Sequence, residues 1–181
     1  SGVRYVGALQ LPPGDYNVKA LVRVEDTGRT GFTTTRIFVP QYGASAVLPP
    51  VVATDPGQWL TVVSPARGAD ATGVLTLGDR PFIPNARAEI ASGATQDLTL
   101  MLRGIAVENL AITPMLVAPD GSAQSAPVTL AGRTSPDEHG LVKLLFRFAP
   151  QTIAKGEYDL RFTVVPAGGR PTVVGLPVVV R

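Results

Sequence analysis

The sequence predicts an all-β chain of sandwich class, and three observations carry that prediction. Apolar residues recur with a period of two along most of the chain. Short apolar runs are separated by Gly- and Pro-rich turns. One hairpin motif, Gly-acid-Tyr followed by an alternating strand, occurs twice. Period-two alternation puts every second side chain on one face of a sheet, so that one face packs while the other is solvated. With 19 Gly and 17 Pro in 181 residues and a hydrophobic share of 45%, turn-formers are abundant, yet there is enough apolar surface for a core. No long helical periodicity interrupts the pattern.

The first copy of the motif is Leu11-Pro12-Pro13-Gly14-Asp15-Tyr16-Asn17-Val18-Lys19. Tyr16, Val18, Ala20, Val22 and Val24 fall on one strand face, and Asn17, Lys19, Arg23 and Glu25 mostly on the other. Asp26-Thr27-Gly28-Arg29 is a turn by composition, and Phe32 to Val39 reads as the return strand, ended by Pro40. Val3 to Leu9 offers one more strand. Three strands are too few to bury a sandwich core. Residues 1–40 therefore read as the closing strands of a partial sandwich, with the chain starting inside one domain. The apolar residues Val18, Val22, Phe32 and Phe38 would need cover from elsewhere.

Residues 41–58 are Pro-, Ala- and Gly-rich, and Pro49-Pro50 within them predicts a stiff extended linker. Residues 59–181 read as a complete sandwich. Candidate strands are Leu60–Val63, Gly73–Leu77, Ala88–Ile90, Asp97–Arg103, Leu110–Val117, Val128–Ala131, Leu141–Phe148, Glu157–Val165 and Thr172–Val180. Leu98, Leu100 and Leu102 share a face, as do Val142, Leu144, Phe146 and Phe148. Pro114 and Pro177, inside strand-like runs, predict edge strands or bulges.

The second copy, Ile153-Ala154-Lys155-Gly156-Glu157-Tyr158-Asp159-Leu160-Arg161, opens the penultimate strand. A Tyr in that place commonly turns its hydroxyl back onto the backbone and forms a tyrosine corner, a mark of immunoglobulin-like sandwiches. Gly14, Tyr16, Gly156 and Tyr158 are accordingly read as a structural motif, the glycines permitting a positive φ beside the tyrosines. The fold expected is thus an immunoglobulin-like or fibronectin-III-like β-sandwich preceded by part of a second one.

Chemistry-bearing patterns are sparse. There is no cysteine, which removes disulfides and thiolate metal sites. Net charge is +2 with no Lys/Arg cluster and 6% aromatic residues, a poor basis for nucleic-acid binding. The single histidine, His139, sits in Ser135-Pro136-Asp137-Glu138-His139-Gly140, a polar loop ahead of a strand, and no G-x-S-x-G elbow accompanies it. Adjacent Asp137, Glu138 and His139 diverge, so a metal would need ligands from another loop. Asp120-Gly121-Ser122 is a hairpin turn without the alternating acids of a calcium loop. Arg67-Gly68-Ala69-Asp70 resembles an adhesion tripeptide with Ala69 interrupting it. Trp59 is expected to pack beneath the link rather than to stack on a sugar. No catalytic, cofactor-binding or metal-binding residue is assigned, no cofactor is implied, and no stretch is long and apolar enough to span a bilayer.

Leu11-Pro12-Pro13-Gly14-Asp15-Tyr16, the Val39-Pro40 ending, and Arg80-Pro81-Phe82-Ile83-Pro84-Asn85-Ala86 followed by Gly93 to Leu102 together resemble the C-terminal β-sandwich region of large exported bacterial proteins called VWFA-related, abundant in acidobacteria. The Asp-x-Ser-x-Ser metal loop of the von Willebrand A domain does not occur here, so no metal ligand carries over. The resemblance implies an extracellular, cell-surface or periplasmic setting and a non-catalytic structural or interaction module, adhesive or assembly-related, in a larger protein. Its partner would be another protein or an upstream domain of the same polypeptide, with self-association as a further outcome and no nucleic acid or membrane insertion. Two other readings stand beside it. One is a carbohydrate-binding module attached to a hydrolase, which needs exposed aromatics in a row. The other is a self-assembling subunit completed by strand exchange with a neighbour.

Overall fold

The structure, a computed structural model, describes residues 2–6, 9, 11–53, 59–63, 76–77, 80–82, 84–85 and 88–181. In chain order its strands are β1 (Gly2–Val6), β2 (Gly14–Arg23), β3 (Thr30–Val39), β4 (Ala46–Val52), β5 (Trp59–Val63), β6 (Thr76–Leu77), β7 (Arg80–Pro81), β8 (Ala88–Ile90), β9 (Gln96–Arg103), β10 (Ala111–Val117), β11 (Ala123–Ser125), β12 (Val128–Arg133), β13 (Leu141–Phe148), β14 (Gly156–Val165) and β15 (Thr172–Val180). The described residues contain no helix. The chain divides into two compact units, residues 1–8 with 44–181, and residues 9–43.

The larger unit is an immunoglobulin-like sandwich. One sheet has the order β11-β10-β14-β15-β8 and the other β12-β13-β9-β4. Neighbours pair antiparallel except β15 and β8, which run parallel through Val178↔Ala88 to Val180↔Ile90. In immunoglobulin lettering β4, β9, β13 and β12 are A, B, E and D, while β15, β14 and β10 are G, F and C. The alternation read from sequence sets the core. Leu98, Leu100 and Leu102 of β9 and Leu144, Phe146 and Phe148 of β13 are buried with Leu160, Phe162 and Val164 of β14 and Val178 and Val180 of β15. The Phe146 and Phe162 rings, one from each sheet, meet with centroids 5.4 Å apart at a 49° tilt. Each such side chain taken from water contributes about 1.5–3 kcal/mol. Leu160, two residues beyond the corner tyrosine and fully buried, holds the place where antibody domains carry the second cysteine of their inter-sheet disulfide. A cysteine-free chain closes that point by packing.

Three sequence expectations are corrected. The 41–58 stretch is not simply a linker, because Ala46–Val52 is β4 and pairs with β9, with Val47 and Val52 buried. Pro49-Pro50 falls where the β4–β9 register shifts between Leu48 and Val51. An edge strand with a bulge tolerates residues that donate no hydrogen bond. The sandwich therefore begins before residue 59.

Nor do the N-terminal residues form one three-stranded sheet: β1 pairs in parallel with β5, and β2 and β3 form a two-stranded hairpin. Finally, Pro114 and Pro177 lie in interior strands. Pro114 sits one residue outside the β10–β11 ladder, which starts at Met115, and Pro177 one residue before the β15–β8 ladder, which starts at Val178. In each case the missing N–H falls where the neighbouring strand ends.

Phe82 of the Phe82-to-Ala86 stretch is buried, Pro84 bridges Ala53, and Asn85 N–H donates to the Val52 carbonyl at 2.8 Å. Arg67–Asp70, the Trp59 side chain and most of Gly73–Leu77 lie outside what the structure describes.

The smaller unit is the β2–β3 hairpin. Its register runs from Gly14↔Val39 to Arg23↔Thr30. Tyr16, Val18, Ala20 and Val22 therefore share a face with Ile37, Thr35, Thr33 and Gly31. Phe32 and Phe38 lie on the opposite face, beside Leu21 and Asp15, so the four apolar residues grouped from sequence divide between two faces.

Candidate functional site

Two hairpins built to one plan carry the features that distinguish this chain. In the first, Tyr16 Oη donates to the Pro12 carbonyl at 2.7 Å; in the second, Tyr158 Oη donates to the Ala154 carbonyl at 3.0 Å. Gly14 and Gly156 have φ of 155° and 158°, a region open essentially to glycine alone, and a Cβ on either would meet the tyrosine ring at 3.7 or 3.6 Å. Each glycine pairs with the last valine of the return strand, Gly14 with Val39 and Gly156 with Val180. Position for position, Val18, Ala20 and Val22 correspond to Leu160, Phe162 and Val164. Thr35 and Thr33 correspond to Leu176 and Val174.

Burial separates the two copies. Leu160, Phe162 and Val164 are fully buried, whereas Val22 is 66% exposed, Ala20 is exposed and Val18 is half-buried. On the opposite face Leu21 and Phe32, paired directly across the strands, are 71% and 79% exposed, and Phe38 is 68% exposed. Phe38 stands apart from the Leu21–Phe32 pair, beyond the polar rows Lys19/Thr34 and Asn17/Arg36. Asp15 pairs with Arg36 at 3.3 Å on the face that carries Phe38.

The second copy contributes to a groove of about 820 Å³ on the larger unit. Apolar walls come from Val117, Pro119, Pro177 and Val179, and charge from Glu89, Glu157, Asp159 and Arg161. Asp159 Oδ2 accepts from Arg161 Nε at 2.7 Å, and Glu89 Oε1 accepts from Arg181 Nη2 at 2.9 Å. Room for the Asp159 carboxylate comes from the neighbouring strand, since a Cβ on Gly175 would stand 2.7 Å from its Oδ1. Two of the three acids are thus paired internally. The groove offers a shallow, mostly apolar wall and no nucleophile–base pair. The outward run Glu157, Asp159, Arg161 is visible in the sequence; the fit of Gly175 beneath it needs the register.

Of the other sequence candidates, the Asp120-Gly121-Ser122 turn borders this groove through Gly121, and the His139 loop is not part of its lining. His139 has a side chain 78% exposed, with Glu138 Oε1 at 3.5 Å. Asp137 Oδ1 accepts from the N–H groups of His139 and Leu141 at 2.9 and 2.8 Å, which shapes the loop leading into β13. Asp120 Oδ1 accepts from Ser122 N and Oγ at 2.9 and 2.7 Å, and these bonds hold its carboxyl below the ordinary range. It is a turn clasp. Among the described residues no three His, Cys, Asp or Glu side chains converge as metal ligands. No helix among them is long and apolar enough to cross a membrane.

Lys143 was not singled out from sequence. It is only 8% exposed, and burial lowers its pKa while Asp137 pulls it back up. The alternation around it points to the solvated side of β13, so nothing in the local pattern marks it as buried.

No family model matches the chain, and no curated protein matches it. The fold and the paired hairpins are therefore what the functional reading stands on.

Proposed function

We propose that the chain is a non-catalytic interaction module of a larger exported bacterial protein, of the kind found in the C-terminal region of VWFA-related proteins, serving adhesion or assembly. The observation that supports it is the β2–β3 hairpin, which repeats the buried β14–β15 hairpin register for register yet leaves Val22, Leu21, Phe32 and Phe38 open to solvent. Binding of this kind uses sheet faces and strand edges, through main-chain hydrogen bonds and alternate side chains, and needs no deep pocket. The exposed His139 beside Glu138, and the arginine-engaged Asp159 and Glu89 of the groove, favour this non-catalytic reading.

Fractionation of cells producing the full polypeptide tests this. The protein is expected outside the cytoplasmic membrane, in a complex whose size falls when Leu21 and Phe32 are both changed to Ser. Retention in the cytoplasm, or a complex of unchanged size, contradicts it.

A further inference from the structure

The outer faces of the two hairpins differ by one exchange that bears on the groove. In β2–β3, Asp15 faces Phe38 across the strands, and Arg36 in the next row reaches back to it, Nη2 to Oδ1 at 3.3 Å. Position for position in β14–β15, Glu157 replaces Asp15, Val179 replaces Phe38 and Pro177 replaces Arg36. The acid is kept while its cation gives way to a proline. The neighbouring acids Asp159 and Glu89 are engaged by Arg161 and Arg181. Among the described residues no ion pair includes Glu157.

Glu157 lines the groove of about 820 Å³ on this face. Two adjacent rows build its floor, Glu157–Val179–Glu89 and Val117–Asp159–Pro177, and together they cross the four strands β10, β14, β15 and β8. Strands stand about 4.8 Å apart, so that width is about 14 Å, the reach of about four extended residues. Val117, Pro119, Pro177 and Val179 make much of the lining apolar. Lining acids outnumber the one lining arginine by three to one, in a chain whose net charge is +2. The groove thus draws in a charge that the chain as a whole repels.

We propose that this groove binds an extended peptide segment of a partner protein, carrying one arginine between aliphatic residues. The ligand arginine takes the part that Arg36 plays on the first hairpin. Its stem lies over Pro177 and Val179, and its guanidinium meets the Glu157 carboxylate. A guanidinium suits this place better than an ammonium, because it offers paired donors to a carboxylate and is weakly hydrated. Aliphatic neighbours cover Val117 and Pro119. An acidic segment would meet Glu157, Asp159 and Glu89 with like charge and be rejected. All of these residues belong to the larger unit, and the proposal does not rest on the open faces of β2–β3.

Titration of the 181-residue chain with acetyl-Leu-Arg-Leu-Val-amide, followed by amide proton–nitrogen NMR shifts, tests the proposal. Saturable shifts are expected at Val117, Glu157, Asp159 and Val179, with a Kd on the order of 1 mM. Citrulline in place of the peptide's arginine, or Glu157→Gln in the protein, should each weaken binding by about fivefold, the weight of one exposed ion pair. Pro177→Arg gives Glu157 an internal cation, as on the first hairpin, and should weaken binding to a similar extent. The citrulline comparison uses the unaltered protein, so it stands whatever the variants do to folding. No saturable shift up to about 10 mM peptide overturns the proposal. So do shifts centred outside the groove, equal affinity for the arginine and citrulline peptides, or undiminished binding by Pro177→Arg. Each of those results leaves the interaction-module reading to its own fractionation test. Arginine-dependent binding together with an unchanged complex on fractionation would remove the assembly role of β2–β3 and keep the groove as a binding site.

Discussion

Tyr158 and Ala154 are joined by a 3.0 Å hydrogen bond from the phenol to the carbonyl four residues back, and Tyr16 and Pro12 are joined in the same way at 2.7 Å. In the second copy this bond pins the start of a strand whose next inward residues are fully buried. Tyr158→Phe should therefore lower the stability of the larger unit by about 1 kcal/mol, the usual net worth of such a bond. Gly156→Ala should cost about 1–3 kcal/mol, because φ near 158° is closed to alanine. Denaturant melts of the single variants check both. Tyr16→Phe should leave the main transition unmoved.

Asp159 and Gly175 make a second testable pair. Gly175→Ala places a methyl 2.7 Å from the Asp159 carboxylate oxygen, so the Asp159–Arg161 ion pair must shift. Because the atom met is the tip of a partly exposed carboxylate that can swing aside, the substitution should change stability by no more than about 1 kcal/mol in the wild-type background. In an Asp159→Ala background Gly175→Ala should be more favourable than in wild type by about 0.5 kcal/mol or more, as expected of residues in direct contact. Additive effects in the double-mutant cycle would show that the two do not meet.

Lys143 gives a pH dependence with a definite sign. Burial lowers its pKa in the folded state from the ordinary 10.5. Between the folded and unfolded values the unfolded chain binds more protons, so stability attributable to this lysine rises with pH across that window. Below the folded value the cost of burying the charge is fully present. Lys143→Met should remove this rise, read as the difference between variant and wild-type stability from neutral to alkaline pH. Parallel profiles would contradict it.

Phe162→Ala should cost about 3–5 kcal/mol, as expected for a buried aromatic that also loses a ring partner. At the equivalent position of the first copy, Ala20→Phe should leave the stability of the larger unit within about 0.5 kcal/mol of wild type, as for exposed positions generally. Thermal melts of both variants check the contrast.

Period-two alternation made the faces of β9, β13 and β14 legible from sequence, because each is a long strand with one face in the core. The tyrosine positions were legible too, since glycine, acid and tyrosine recur at fixed spacing. Strand β4 was hidden by Pro49-Pro50, which break the alternation at the bulge where the ladder shifts. Pro114 and Pro177 read as edge signals because sequence shows the missing donor but not where the neighbouring strand stops. The two faces of the first hairpin were merged for a related reason. Phe32 and Val22 are both apolar, and only the pairing of Val22 with Gly31 and Leu21 with Phe32 puts them on opposite sides. The groove was illegible as a site because it joins residues from β8, β10, β14 and β15 with a loop between β10 and β11.

The central claim is that one hairpin plan is used twice, once with its inner face packed and once with it open. Residue-resolved amide exchange on the dilute 181-residue chain tests it most directly. Amides of Leu160, Phe162 and Val164 should exchange only through global unfolding, while those of Val18, Ala20 and Val22 should exchange through local opening, since an isolated two-stranded hairpin is marginally stable in water. Equal, strong protection of both sets at low concentration would show the first hairpin already covered, and would contradict the account.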